Sequence, residues 1–217
     1  MHNQLKKVAK LLAATAIAGT TAVSVHAHPH VFVEANIEVV RNASGEFTEL
    51  RQVWRFDELF SSTILLDYDD NTDGKLDEKE IKAVTDIVKE SIAEYDFYTA
   101  IRADDKPLEF YEPDKINAYY EGNQLIMFLS VEPTKSINLK QSALKVSASD
   151  SSYYVAFEFN NESITIEGNS DACNVSVVHP DFDKIYATTD SLTEAFFQDP
   201  QNSGFGDEFY SWANIKC

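Results

Sequence analysis

The chain has 217 residues, with 36 Asp and Glu against 18 Lys and Arg, and a formal net charge of −18. So acidic a surface excludes nucleic acid as a partner and does not favour an anionic membrane. The length suits one well-filled core, or one core carrying an insertion.

Residues 1–27 read as a cleaved signal peptide. Lys6, Lys7 and Lys10 precede an uncharged, small-residue core from Leu11 to Val25, and Val25-His26-Ala27 has the form of a cleavage site. The apolar run is too short and too rich in Ala and Thr to be a membrane anchor, and no lipobox cysteine lies near the cut. Cleavage removes three lysines and leaves 190 residues, 28–217, with a charge of −21. The expectation is a single exported, soluble domain with no membrane insertion after cleavage.

The mature chain opens on strands. From Val31 to Arg41 the sequence approaches strict alternation with many β-branched residues, and Phe47–Phe56 is a second extended run beyond Gly45. Together they predict a hairpin. A helical segment follows, with Phe56, Leu59, Phe60 and Ile64 at helical spacing and Asp57 as its cap.

Asp69 to Glu80 then reads D-D-N-T-D-G-K-L-D-E-K-E, which matches an EF-hand calcium loop at every diagnostic position. Asp69, Asn71 and Asp73 fall at loop positions 1, 3 and 5, Asp77 at 9 and Glu80 at 12. Lys75 at position 7 offers its backbone carbonyl, and Gly74 supplies the sharp turn. A hard cation takes six to eight oxygens at about 2.3–2.6 Å, which is why the donors alternate along a turning backbone. The alternative is an acidic turn whose Asp77 merely caps the next helix. That helix carries the stripe Ile81, Val84, Val88 and Ile92 and reaches about Tyr95. The unit, residues 56–95, lacks a Pro/Gly linker, which predicts an insertion packed on the sheet. Since the loop occurs once, Leu76 at position 8 must pack on something other than a second loop.

Beyond it the pattern returns to strands. Phe97–Ala103 and Leu108–Tyr111 flank a D-D-K-P turn, and Ala118–Tyr120 and Gln124–Val131 flank Gly122-Asn123. Leu144–Ala148, Tyr153–Phe159, Ser163–Glu167 and Val175–Val178 are further strand candidates, followed by a helical pattern at Leu192–Phe197 and a Gly-containing tail. The predicted class is α+β, mainly antiparallel β with an inserted helix–loop–helix. Cys173 and Cys217 are the only cysteines. In an oxidising compartment they read as one disulfide, with a thiolate metal site as the alternative.

Cleavage after Ala27 makes His28 the first residue, followed by Pro29 and His30; His179 is the remaining histidine of the mature chain. Imidazole suits Zn2+, Ni2+, Co2+ or Cu2+, and the free α-amine adds a nitrogen beside the His28 ring. An amino-terminal copper/nickel motif with histidine third is excluded, because Pro29 has no N–H to lose. A chelate from His28 with His30 or His179 remains open. So does a plain polar lead-in to the first strand. No serine elbow, phosphate loop, H-E-x-x-H or cysteine-nucleophile context occurs, so the reading is not an enzyme.

The H-P-H-V-F-V start, the run W-R-F-D-E-L-F before the acidic loop, the segment D-S-S-Y-Y-V-A-F-E and the cysteine after F-Y-S-W-A-N-I-K resemble a bacterial exported family catalogued as domain of unknown function 1007. The resemblance implies a Gram-negative periplasm, a label as periplasmic component of an ABC-type transport system, and an inner-membrane metal permease as partner. The chain is shorter than usual solute-binding proteins and lacks their two-lobed repeat. The functional expectation is a periplasmic metal-ion-binding accessory protein of a nickel/cobalt/zinc-type transport system, with a structural calcium loop. The alternative is a calcium-stabilised interaction module without transition-metal binding.

Overall fold

The computed structural model describes residues 29–168, 173–181, 183–184 and 209–217. The expected signal segment, His28 and the helical pattern expected at Leu192–Phe197 lie outside the described residues. In chain order, β1 (Val31–Arg41) and β2 (Glu46–Phe56) are followed by α1 (Glu58–Tyr68) and α2 (Glu78–Ile92). Then come β3 (Thr99–Ala103), β4 (Lys106–Pro107), β5 (Asn117–Glu121), β6 (Gln124–Val131), β7 (Ile137–Asn138) and β8 (Leu144–Ala148). β9 (Val155–Glu158), β10 (Ile164–Glu167), β11 (Asn174–Val178) and β12 (Trp212–Lys216) complete the described strands.

The alternation of β1 is a burial pattern. Val31, Val33, Ala35, Ile37 and Val39 are buried, while Phe32, Glu34 and Asn36 face out. β1 and β2 pair antiparallel from Val33/Phe56 to Arg41/Phe47, and β6 then β5 continue the sheet beyond β2. Gly122 and Asn123 both have positive φ, 61° and 63°, as a two-residue hairpin turn of the I′ kind requires. The sheet order is β10-β1-β2-β6-β5, with β7 on β2 and β9 on β1. A second sheet runs β11-β12-β8-β3-β4.

The fold is α+β and mostly strand, but the first sheet is mixed and not purely antiparallel. β9 and β10 both pair with β1 in parallel. Three other expectations are corrected. Leu108–Tyr111 makes no strand: Phe110 forms only an isolated bridge to Pro133, which has no N–H with which to extend a ladder. The C-terminal tail holds β12, which joins β11 to β8. α2 ends at Ile92, and residues 93–98 form a 3-10 segment whose last three residues, Asp96, Phe97 and Tyr98, have φ near +50°.

Between the sheets lie Trp54, Phe47, Leu125, Met127, Leu144 and Ile215, all fully buried. A buried polar relay crosses this core. Trp54 Nε1 donates to Gln52 Oε1 (3.1 Å), Gln52 Nε2 to Thr99 Oγ1 (2.7 Å), and Thr99 Oγ1 to the Phe97 carbonyl (3.0 Å). Each group has a partner, so the relay ties β2 to β3 without an orphaned dipole. Asp57 begins α1 as expected: one carboxylate oxygen caps Phe60 N–H (2.9 Å) and the other accepts from Phe32 N–H of β1 (2.9 Å). Leu76 is half-buried against the core. Cys173 and Cys217 form a disulfide.

Candidate functional site

The acidic loop grows out of the two helix ends. Asp69 is the C-cap residue of α1, and Asp77 with Glu80 forms a capping box at the start of α2. Between them Thr72 and Gly74 take left-handed φ of 58° and 79°, so the chain reverses within six residues. The side chains bond inward to backbone amides. Asp69 accepts from Asp73 N–H (3.1 Å) and Gly74 N–H (2.8 Å), Asn71 from Asp73 N–H (2.9 Å), and Asp73 from Lys75 N–H (2.9 Å). Asp77 accepts from Lys79 and Glu80 N–H.

Glu80 is the most constrained of these residues, at 4% exposed. Its two carboxylate oxygens accept from Asp70 N–H (2.9 Å) and Asp77 N–H (2.8 Å), spanning both ends of the loop. The oxygen-only donor chemistry and the turning backbone fit a hard cation. The side chains themselves are not drawn together. Among the described residues no group of three or more His, Cys, Asp or Glu is gathered closely enough to hold a metal.

The histidines divide between two places. His179, after β11, has Nδ1 3.0 Å from Ser211 Oγ and lines a cleft of about 860 Å³. Pro29, the first described residue, lines the same cleft, so it and His179 share one opening. Glu34, Glu158, Asp150 and Tyr210 also face it. His30 is not among the lining residues. Its backbone N–H donates to the Tyr154 carbonyl (2.9 Å), and its ring lies 4.9 Å from that of Tyr154. His28 falls outside the described residues, so of the expected set His28, His30 and His179 the structure places only His179 in the cleft.

Sequence reasoning passed over Asp150. It is 5% exposed and accepts from Ser152 N–H and Oγ–H (2.8 and 2.7 Å), Tyr154 N–H (3.1 Å) and Val155 N–H (2.9 Å). That carboxylate folds the D-S-S-Y-Y turn, with Tyr153 at φ +57°, and the turn's Tyr154 carbonyl receives the amides of His30 and Val31. Asp150 is therefore a positioning residue for the amino-terminal segment. The Asx-turn chemistry of Asp followed by two serines was the available signal. The neighbouring Tyr98 hydroxyl is held well above its usual range by burial, then by the negative charge of Asp150.

A larger hollow, about 1080 Å³, lies on the outer face of the first sheet. Arg51 there meets Glu38 (3.0 Å), Glu49 (2.9 Å) and Glu167 (2.7 Å), which ties β10, β1 and β2 together and keeps the guanidinium firmly charged. No histidine or cysteine lines it, so it offers no soft metal ligand.

The family described as a protein of unknown function (DUF1007) matches residues 13–217. This chain belongs to the DUF1007 family. The match takes in both sheets, the acidic loop and the disulfide of this DUF1007 protein. No curated protein matches the chain. No helix of this DUF1007 protein, among the described residues, is long and apolar enough to cross a membrane.

Proposed function

We propose that the protein is a periplasmic metal-ion-binding accessory protein of a transition-metal transport system, handling an ion of the nickel, cobalt or zinc kind and steadied by calcium in the acidic loop. The observation that carries the reading is the cleft shared by His179 and Pro29. Ring nitrogens that bind metals leave their other nitrogen to an orienting partner. With Ser211 against Nδ1, Nε2 of His179 is the nitrogen left for an ion. His28, one residue before Pro29, would bring an amine and a second imidazole. The cleft's carboxylates, Glu34 and Glu158, sit side by side in register on parallel strands, where like charges repel and a cation between them is favourable.

Calcium belongs to the other site. Asp69, Asn71, Asp73, the Lys75 carbonyl, Asp77 and Glu80 would hold it, and its chemistry would be charge neutralisation between two helices. A second reading, an interaction module with calcium alone, is favoured by the apolar outer side of α1.

Equilibrium dialysis of the mature protein, with His28 as its true first residue, tests the choice. One equivalent of nickel, cobalt, zinc or copper should bind at about micromolar affinity or tighter. His179→Ala, and a single extra residue before His28, should each weaken it by about tenfold or more. Absence of any such binding selects the interaction module.

A further inference from the structure

The apolar residues of α1, in the sequence E-L-F-S-S-T-I-L-L-D-Y, are spread round the helix and not gathered on one side. On a surface helix the large apolar side chains are ordinarily gathered on the covered side. Here two of them stand outside it. Phe60, Ile64 and Tyr68 pack on the core and Ser61 is buried, while Leu59 is 78% and Leu66 83% exposed. Leu59, Ser62, Thr63 and Leu66 fall on one face at helical spacing. The hydroxyls on that face are turned back on the helix: Ser62 Oγ donates to the Glu58 carbonyl (2.6 Å) and Thr63 Oγ1 to the Leu59 carbonyl (3.1 Å). The face therefore offers a partner methyl and methylene surface, with its polar hydrogens already engaged.

Charge decides what fits. Glu58 stands at one end of the stripe, and Asp67 then Asp70 at the other, all exposed. A second copy is disfavoured. Two such helices crossing antiparallel between Ser62 and Thr63 would bring Leu59 to Leu66 but also Glu58 to Asp67, and a parallel pair would set Glu58 against Glu58. An apolar segment with cations at both ends meets no such conflict. An anionic bilayer meets the same acids, in a chain of net charge −18.

We propose that the outer side of α1 docks a cationic amphipathic helix of a partner protein, its apolar residues on the Leu59–Leu66 stripe and its Lys or Arg side chains against Glu58 and Asp67. The recognition is helix against helix, with anchors at i, i+3 or i+4, and i+7. It stands apart from the metal reading, because neither leucine lines the histidine cleft.

The test uses the mature protein and a fluorescent synthetic peptide of about 14 residues, leucines on one helical face and lysines at both ends. Fluorescence anisotropy at about 0.15 M salt, where non-contact attraction is screened, reads the affinity. The wild type should bind, Leu59→Ser with Leu66→Ser should weaken binding about tenfold or more, and Glu58→Lys with Asp67→Lys should transfer preference to a peptide with glutamates at its ends. Both leucines are exposed, so an unchanged melting temperature certifies the fold of the variant. Equal binding by wild type and the serine variant overturns the proposal, as does no binding. A wild-type dimer that the serine substitutions dissolve, or leucine-dependent binding to vesicles of phosphatidylcholine and phosphatidylglycerol, would assign the face to a second copy or a bilayer and overturns it equally.

Discussion

Glu80 shows how much one side chain can hold. It is buried and charged, and both its oxygens accept backbone N–H groups from opposite ends of the acidic loop. Hydrogen bonds to a charged acceptor contribute about 1.5–3 kcal/mol each. Glu80→Gln keeps one acceptor and turns an NH₂ group toward the other amide, so the variant should lose on the order of 2–3 kcal/mol. In urea unfolding this appears as a lower midpoint with an unchanged slope. The same substitution removes a carboxylate that the calcium proposal needs. Calcium should therefore raise the melting temperature of the wild type and leave that of Glu80→Gln where it was. A calcium shift retained by the variant would remove Glu80 from the ligand set. The turn between α1 and α2 is legible in the sequence, because Asp57, Asp77 and Glu80 cap their helices within three residues. The histidines are not legible in that way. Whether His30 points to His179 or to Tyr154 depends on how the D-S-S-Y-Y turn, more than a hundred residues downstream, meets the first strand.

Among the elements, those built from local rules are readable and those built from distant pairings are not. β1 and the β5–β6 hairpin follow from alternation and from the Gly122-Asn123 turn. β12 escapes notice because W-A-N-I-K is short and buries only Ala213 and Ile215 fully; it exists because β11 and β8 flank it. The parallel placement of β9 and β10 on β1 has no local signal at all. Ser61 gives α1 its position on the sheet. Its hydroxyl donates to the Asp57 carbonyl (2.7 Å) and accepts from Leu125 N–H of β6 (2.9 Å), with no part of the residue exposed. Ser61→Ala leaves that amide buried and unpaired, at a cost of about 1–3 kcal/mol. Hydrogen exchange at the Leu125 amide should accelerate in the variant while exchange within the β1–β2 hairpin stays near its wild-type rate. Slowed or unchanged exchange at Leu125 would mean that the hydroxyl does not hold the helix to the strand.

At the scale of the whole molecule the two sheets are secured differently. The first is long-stranded and carries most of the large buried side chains, Trp54, Phe47, Leu125 and Met127 among them. The second depends on β12, which bridges β11 to β8 near the chain's end. Chain ends fray unless something ties them down. Here Cys217, one residue beyond β12, is bonded to Cys173, one residue before β11, across a separation of 44 residues. Closing a loop of that length removes entropy from the unfolded chain worth about 3–4 kcal/mol. Reduction, or Cys173→Ala with Cys217→Ala, should therefore lower the unfolding free energy by about that amount. The loss should also be uneven. Amides of β11 and β12 should exchange much faster in the reduced protein, whereas those of β1 and β2 should follow only the global change, since the Gln52–Thr99 relay enters the second sheet at β3 and not at β12. Denaturant unfolding with and without reductant, read beside exchange by strand, separates the two effects. An unchanged midpoint together with unchanged exchange in β12 would show that strand pairing alone secures the carboxyl terminus.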